Sequence, residues 1–367
     1  MKVRTTLILL TLLFMYAGAF GRPNRRVDKH DRKDTHQKIE RKLAVDPQVS
    51  VSVCISSGNI KVNGWDRNEV RAYSLEAADI QLNRKDEGTG PVRKVSLRVL
   101  DKASENKAGD PCDAYSELEL NVPRGASVQL QTRDSDIEVS DVAVVYANTQ
   151  NGDVNIEKAG KIVEAGTIGG GISLRESRGR ISLHSAGGSI DASDVKPAEA
   201  TDTFEARSLG GDITLSSITH ASQTANTLNG GLWVAGPLTS GGRYNFRTMS
   251  GDMTLSLPEN SSFQLSAKFS YGAEIITDFP ITIMSQASAK PAPTPAPPAK
   301  PVPSAEPAPP ADPDSVVVKV DPVVVAKIKN KRGSTPIVVD LSSLSMRRIE
   351  GVCGSGGAKL ELSSFSG

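Results

Sequence analysis

Hydrophobic and polar positions along this chain alternate in short runs that restart after a glycine. The recurring phrase is [Ala/Leu/Phe]-x-[Thr/Ser]-x-x-Gly-[Asp/Gly]-[Ile/Val/Leu/Met]-x-[Leu/Ile/Val]. It reads A-N-T-Q-N-G-D-V-N-I at Ala147 to Ile156 and A-G-T-I-G-G-G-I-S-L at Ala165 to Leu174. It reads A-R-S-L-G-G-D-I-T-L at Ala206 to Leu215, A-N-T-L-N-G-G-L-W-V at Ala225 to Val234 and F-R-T-M-S-G-D-M-T-L at Phe246 to Leu255. Looser copies run from Val53 to Val62, Leu130 to Val139 and Leu183 to Ala192. From Ser135, which fills the glycine slot of its copy, the key positions are 135, 152, 170, 188, 211, 230 and 251. The intervals are therefore 17, 18, 18, 23, 19 and 21 residues.

A period near twenty built from strand-like residues predicts a coiled β architecture. Within each copy the side chains alternate with period two: Ile213 and Leu215 point one way, Asp212 and Thr214 the other. Stacked turns would align these apolar residues into an inner column, each turn burying its inward face on its neighbours. The expected fold is all-β, a single-stranded β-solenoid, a β-helix-like coil of short strands with turns of about 17–23 residues. Gly170, Gly179 and Gly188 are nine apart, which suggests two short strands per turn and a flattened coil with two main faces. The turn glycines Gly58, Gly152, Gly170, Gly188, Gly211, Gly230 and Gly251 are expected at corners with positive φ, where glycine meets no Cβ penalty. The Thr/Ser slot (Thr149, Thr167, Ser185, Ser208, Thr227, Thr248) is expected to form a ladder of small residues beside that corner.

Other segments break the pattern. Residues 1–21 read as a signal peptide, with Lys2 and Arg4 before a short apolar run, Leu7 to Phe14, and small residues at Ala17 and Ala19. That run is shorter than the roughly 20 residues of a spanning helix. Residues 22–48 read as a charged flexible segment, with a short helix over Thr35 to Leu43. Residues 49–285 are assigned to the solenoid. Residues 286–314 are a Pro/Ala-rich disordered insertion that cannot build a core. Residues 315–367 supply C-terminal strands that complete the coil, and the last turn looks incomplete where it reaches Gly367. Export through the signal peptide places the protein in the periplasm, at the cell surface or in the medium.

Charge adds little. The formal net charge is +1, and losing Lys2 and Arg4 leaves 41 basic against 42 acidic residues, a net of −1. Such balance gives no argument for a nucleic-acid partner. The three cysteines, Cys54, Cys112 and Cys353, fit no metal spacing. Export permits a disulfide, Cys54 with Cys112 or Cys353 with either, and free thiols are the alternative.

The order of motifs is also familiar. G-N-I-K-V-N-G-W stands near the start, V-P-R-G-A-S-V-Q-L-Q-T follows, and G-S-G-G-A-K-L-E-L-S-S-F-S-G closes the chain. With the repeated G-D-I turns between, this resembles the bacterial "putative adhesin" β-solenoid family over roughly residues 49–285 and 315–367. The resemblance implies an exported domain of largely unassigned molecular function. Two features depart from the family pattern: the Pro/Ala tract among the C-terminal strands, and the stop at Ser366-Gly367.

Candidate chemistry is sparse. Asp153, Asp212 and Asp252 share one slot and are weak Ca²⁺ candidates if stacked, since Ca²⁺ takes oxygen ligands. Gly171, Ser189 and Gly231 interrupt that column, so carboxylates bonding the turn backbone are the plainer reading. Acid/base catalysis on a β-helix would need clustered carboxylates; Asp191, Asp194 and Glu199 are close in sequence, as are Asp134, Asp136 and Glu138. Alternating acids on strands more often form a solvated surface. His30, His36, His184 and His220 have no zinc-site spacing and read as surface residues. No cofactor and no catalytic residue is assigned. Trp233, between Leu232 and Val234, should point outward and is the best single binding candidate. The reading is a non-enzymatic exported solenoid that presents a repetitive surface to an envelope or surface protein or a glycan. A carbohydrate-active enzyme and a structural polymer joined through the solenoid ends are the alternatives.

Overall fold

A computed structural model of the chain describes residues 38–75, 77–100, 112–270, 273–283, 323–329, 337–339 and 347–366. The segments read as signal peptide and Pro/Ala insertion, and His30, His36 and Gly367, lie outside the described residues. The described residues form strands joined by turns, without helix.

The first strands are β1 (Ile39–Cys54), β2 (Ile60–Trp65), β3 (Glu69–Ser74), β4 (Asp79–Arg84), β5 (Val92–Leu100) and β6 (Leu118–Pro123). The regular coil follows as β7 (Ser127–Gln131), β8 (Ile137–Ser140), β9 (Val144–Asn148), β10 (Val154–Glu157), β11 (Ile162–Thr167), β12 (Ile172–Arg175), β13 (Arg180–Ser185) and β14 (Ile190–Ser193). It continues through β15 (Thr203–Ser208), β16 (Ile213–Ser216), β17 (Ser222–Thr227), β18 (Leu232–Ala235), β19 (Arg243–Ser250) and β20 (Met253–Ser256). The last are β21 (Phe263–Phe269), β22 (Ala273–Thr277), β23 (Thr282–Ile283), β24 (Val323–Lys329), β25 (Ile337–Val339), β26 (Arg347–Cys353) and β27 (Ala358–Ser366).

Each turn of the coil lays one strand in each of two parallel sheets. Sheet one stacks β8, β10, β12, β14, β16, β18 and β20. Sheet two stacks β7, β9, β11, β13, β15, β17 and β19. Register is strict, so Ile137, Val154, Ile172, Ile190, Ile213, Leu232 and Met253 form one inner column. All are buried. Opposite them, Val163, Ile181, Phe204, Gln223 and Tyr244 face inward from sheet two. Burying one such apolar side chain is worth roughly 1.5–3 kcal/mol, and only the adjacent turns provide the burial.

The sheets meet at two corners of different character. At the glycine corner the spacing never changes: the Thr/Ser slot precedes its glycine by three residues in every copy from Thr149 to Gly251. The return corner varies, from 158–161 and 176–179 to 194–202 and 236–242. The unequal intervals of 17 to 23 residues therefore arise at the return corner. Five non-glycine residues stand there in the left-handed region, one in each of five successive turns: Asp141, Lys158, Glu176, Asp194 and Ser217, with φ of 48–59°.

The glycines themselves correct the expectation of positive φ. Of the seven turn glycines only Gly58 (φ 99°) and Gly251 (φ 138°) adopt it. At the others the requirement is space. A Cβ on Gly170 would lie 2.0 Å from the Gly152 carbonyl oxygen, and one on Gly188 would lie 2.1 Å from that of Gly170. A Cβ on Gly211 would lie 2.2 Å from the Gly188 carbonyl oxygen, and one on Gly230 2.3 Å from that of Gly211. Each glycine thus sits directly against the carbonyl of its counterpart one turn earlier. The same carbonyls accept the hydroxyls of the Thr/Ser slot: Thr167 to Gly152 (2.9 Å), Ser185 to Gly170 (2.9 Å), Ser208 to Gly188 (3.1 Å), Thr227 to Gly211 (2.9 Å) and Thr248 to Gly230 (3.0 Å). In three turns the hydroxyl also accepts the N–H of its own glycine, at Gly170, Gly188 and Gly211.

Both ends of the coil fill a layer out of sequence. In sheet two β1 lies between β5 and β7, and in sheet one β2 lies between β6 and β8. At the other end β27 lies between β19 and β21, and β24 between β20 and β22. The final strand is therefore an inner layer of sheet two, which corrects the expected incomplete turn at the end of the coil. Strand β1 starts at Ile39, inside the segment 22–48 read as flexible and across the helix read over Thr35 to Leu43. Residues 39–44 are strand because they pair antiparallel with β3. Among the described strands, β3, β4, β25, β26 and β23 run antiparallel to their neighbours at the two ends. This breaks the parallel repeat that end-to-end assembly would extend, and β23 and β25 are short, as protected edges are.

The cysteine pairing, open in the sequence, is settled by the fold, and one histidine departs from its expected place. Cys54 and Cys112 form a disulfide with Cα atoms 4.8 Å apart. Cys353 is a buried free thiol whose Sγ donates to the Ser261 carbonyl at 3.6 Å, and burial pushes its pKa up. His220, read as a surface residue, is fully buried. It packs on the Phe204 ring at 5.9 Å between centroids and donates from Nε2 to the Gly179 carbonyl at 2.7 Å. Its return-corner segment turns inward where alternation along a strand would not place it. Gln223 beneath it donates to the carbonyls of Ile218 and His220. Burial lowers the pKa of His220, against the opposing pull of the Gly179 carbonyl and the Asp202 charge.

These contacts set the outcomes of substitution and reduction. Gly188→Ala should cost on the order of 3 kcal/mol or more in urea unfolding, because a backbone carbonyl occupies the Cβ position. Ser185→Ala should cost about 1–2 kcal/mol, and Gly90→Ala, which meets nothing within 4 Å, should be close to neutral. Reducing the Cys54–Cys112 disulfide should cost roughly 2–4 kcal/mol by the same assay. Because the folded pKa of His220 is depressed, its contribution is fully present above the unfolded value of about 6.5 and is lost as pH falls below it. Thermal melts from pH 8 to 5 should show a shallower acid loss in His220→Gln than in the wild type.

Candidate functional site: the outer surfaces

Strict register inside the coil imposes strict register outside it. On the outer face of sheet one, Glu138, Asn155, Ser173, Asp191, Thr214, Trp233 and Thr254 form a single row. Trp233 is 41% exposed, as alternation along β18 requires, and has Thr214 and Thr254 beside it. A polar trough of about 370 Å³ opens on the same face across β2, β8, β10 and β12. Lys61, Asn63, Glu138, Ser140, Asn155, Glu157, Ser173 and Arg175 line it. Lys61 pairs with Glu138 at 3.3 Å, and Ser140 donates to the Asn63 side-chain oxygen at 3.1 Å. The Lys158 ammonium beside Glu157 (2.6 Å) holds that carboxyl below its usual range. Trp233 lies three strands beyond β12, about 14 Å at the usual strand spacing. One face thus offers an aromatic plane and, further along, alternating donors and acceptors.

The carboxylates singled out in the sequence do not converge. Asp153 accepts the Gly171 N–H at 2.8 Å and Asp212 accepts the Gly231 N–H at 2.7 Å. Asp136 accepts the Asp153 N–H at 2.8 Å, and Asp134 the Asn151 amide at 2.7 Å. Each of these carboxylates bonds the next turn. Asp212 and Asp252 are separated by the turn that carries Gly231, and Asp153 lies further off. Among the described residues no three His, Cys, Asp or Glu side chains group as metal ligands would. Asp191 faces outward on β14, Asp194 occupies a left-handed return-corner position, and Glu199 sits on the loop where its N–H donates to Asp202. His184 is exposed and bonds Ser182 at 2.9 Å.

A second surface was not singled out from the sequence. In the turns from Thr167 onward, the side chains immediately after the Thr/Ser slot project from the glycine corner. These are Ile168, Ala186, Leu209, Leu228 and Met249, with Phe365 of β27 next to Met249. Ile168 is 60% exposed, Leu209 58%, Met249 49% and Phe365 51%. The signal was present as a repeated apolar residue between Thr/Ser and Gly. Period two would turn it outward, so an apolar residue there contradicts the solvent-facing pattern.

Residues 114–279 match the Toastrack DUF4097 family model. No curated protein matches the chain. A solved "putative adhesin" from Bacteroides fragilis NCTC 9343 is 17% identical, with 60% of this chain and 97% of that chain covered, at a TM-score of 0.41. One from Parabacteroides merdae ATCC 43184 is 8% identical, with 60% and 88% covered, at 0.37. A "putative cell adhesion protein" from Clostridium sporogenes ATCC 15579 is 10% identical, with 89% and 98% covered, at 0.21. Among the described residues no helix is long and apolar enough to cross a membrane. The coil over residues 114–279, with one strand per sheet in each turn, is a β-solenoid-like repeat, and over those residues the chain is similar to the Toastrack DUF4097 family.

Proposed function

We propose that this protein is exported by its N-terminal segment 1–21 and acts without catalysis, its solenoid presenting a repetitive binding surface at the cell envelope. The observation that carries this reading is the shared outer face of sheet one, where exposed Trp233 and the polar trough lie on one continuous stack of strands. An aromatic plane stacks on the apolar face of a sugar ring or on a partner side chain. The trough supplies hydrogen-bonding groups of both kinds, Lys61 and Arg175 as donors, Glu138 and Glu157 as acceptors. A rigid coil presents both without an ordering cost at binding. The occupied carboxylates Asp134, Asp136, Asp153 and Asp212 support a scaffold over a hydrolase, since each already serves a backbone or amide group.

Binding of the mature protein to glycan arrays and to solubilised envelope fractions tests this. Trp233→Ala should weaken the strongest interaction about tenfold, ~1.4 kcal/mol, with an unchanged melting temperature. Full binding by that variant would remove Trp233 from the site. Absence of binding to every glycan and fraction would remove the proposal itself.

A further inference from the structure

We infer that the glycine corner is a lateral interface at which two copies of this chain pair side by side, their coils parallel. The surface is distinct from the outer face of sheet one. Its apolar row spans six layers from Ile168 to Phe365, about 24 Å at the usual strand spacing. The exposed apolar area is on the order of 400–500 Å², at the upper end of what monomers leave uncovered.

The composition of the corner points to a second copy. Next to the apolar row runs a furrow of exposed small residues: Gly169, Gly187 and Gly210, then Asn229 and Ser250. Coil stacking constrains these glycines less than it does the turn glycines. A Cβ would come no nearer than 3.2–3.3 Å to its neighbours, against about 2 Å at the turn glycines. A two-fold axis parallel to the coil, passing between row and furrow, sets each row residue over the furrow of the same turn in the partner. Leu209 then meets the partner's Gly210, and Ile168 the partner's Gly169.

The same axis brings the flanking charges together. It relates the position two before the row to the position three after it, so Arg207 faces the partner's Asp212 and Arg247 faces the partner's Asp252. All four are exposed. Each pair occurs twice across a two-fold axis. Arg207 also pairs with Glu205 on its own strand, and Arg247 bonds Asn245. With its charged flanks the strip approaches the lower end of specific interfaces, roughly 1,200 Å² in total, which fits a weak, concentration-dependent dimer.

Sedimentation equilibrium on the full mature chain, across micromolar to millimolar concentration, reads the outcome. The wild type should dimerise reversibly, and Met249→Asp should weaken the dimer at least tenfold; Met249→Ser replaces it should the aspartate lower the melting temperature. Arg247→Glu and Asp252→Lys should each weaken pairing, and the double variant should recover most of it. Rescue by charge reversal distinguishes this parallel register from non-specific apolar association. A wild type that stays monomeric throughout, a dimer indifferent to residue 249, or a double variant no better than either single one would each overturn the inference.

Discussion

The whole coil depends on one contact, a backbone carbonyl packed where a Cβ would otherwise be. At Gly170, Gly188, Gly211 and Gly230 the preceding turn's carbonyl comes within 2.0–2.3 Å of the missing atom's place. A hydroxyl three residues before each glycine then caps that carbonyl. From Thr167 to Thr248 each corner hydroxyl is thereby satisfied by the turn before. The turns cannot drift in register, because a shift of one residue would put a side chain into a carbonyl and leave a hydroxyl without its acceptor.

This constraint explains where the protein is free to vary. The glycine corner holds a constant length, while the return corner ranges from the tight 158–161 to the longer 194–202 and 236–242. There the chain tolerates non-glycine residues in left-handed conformation and buries a histidine against Phe204. Rigid stacking on one side and variable loops on the other leave the outer faces as flat rows. Whatever stands in one slot is displayed once per turn. Trp233 is a single interruption of a polar row, whereas the apolar residues from Ile168 to Met249 repeat.

Much of the fold was legible because period two and period near twenty are both local to the chain. Ile213 and Leu215 could be placed inside, and Asp212 and Trp233 outside, from alternation alone. The conformation of the glycines was not legible. Positive φ and close approach both select glycine, and only the neighbouring turn's position separates them. The burial of His220 was hidden because its segment is a loop, where alternation has no meaning. The apolar corner row stands in the phrase only as an unspecified slot, since strand alternation assigns no role to an outward aliphatic.

The sequence by itself determined the repeat, the two strands per turn and the columns of the core, because these follow from side-chain alternation and the chemistry of a small corner. The tertiary structure alone decided the order of layers at the ends. There β1, β2, β24 and β27 fill gaps left by strands remote in sequence. It also decided that Cys54 meets Cys112, and that exposed residues from separate turns join into one surface. Those contacts depend on the spacing between turns in space, which no stretch of the chain records.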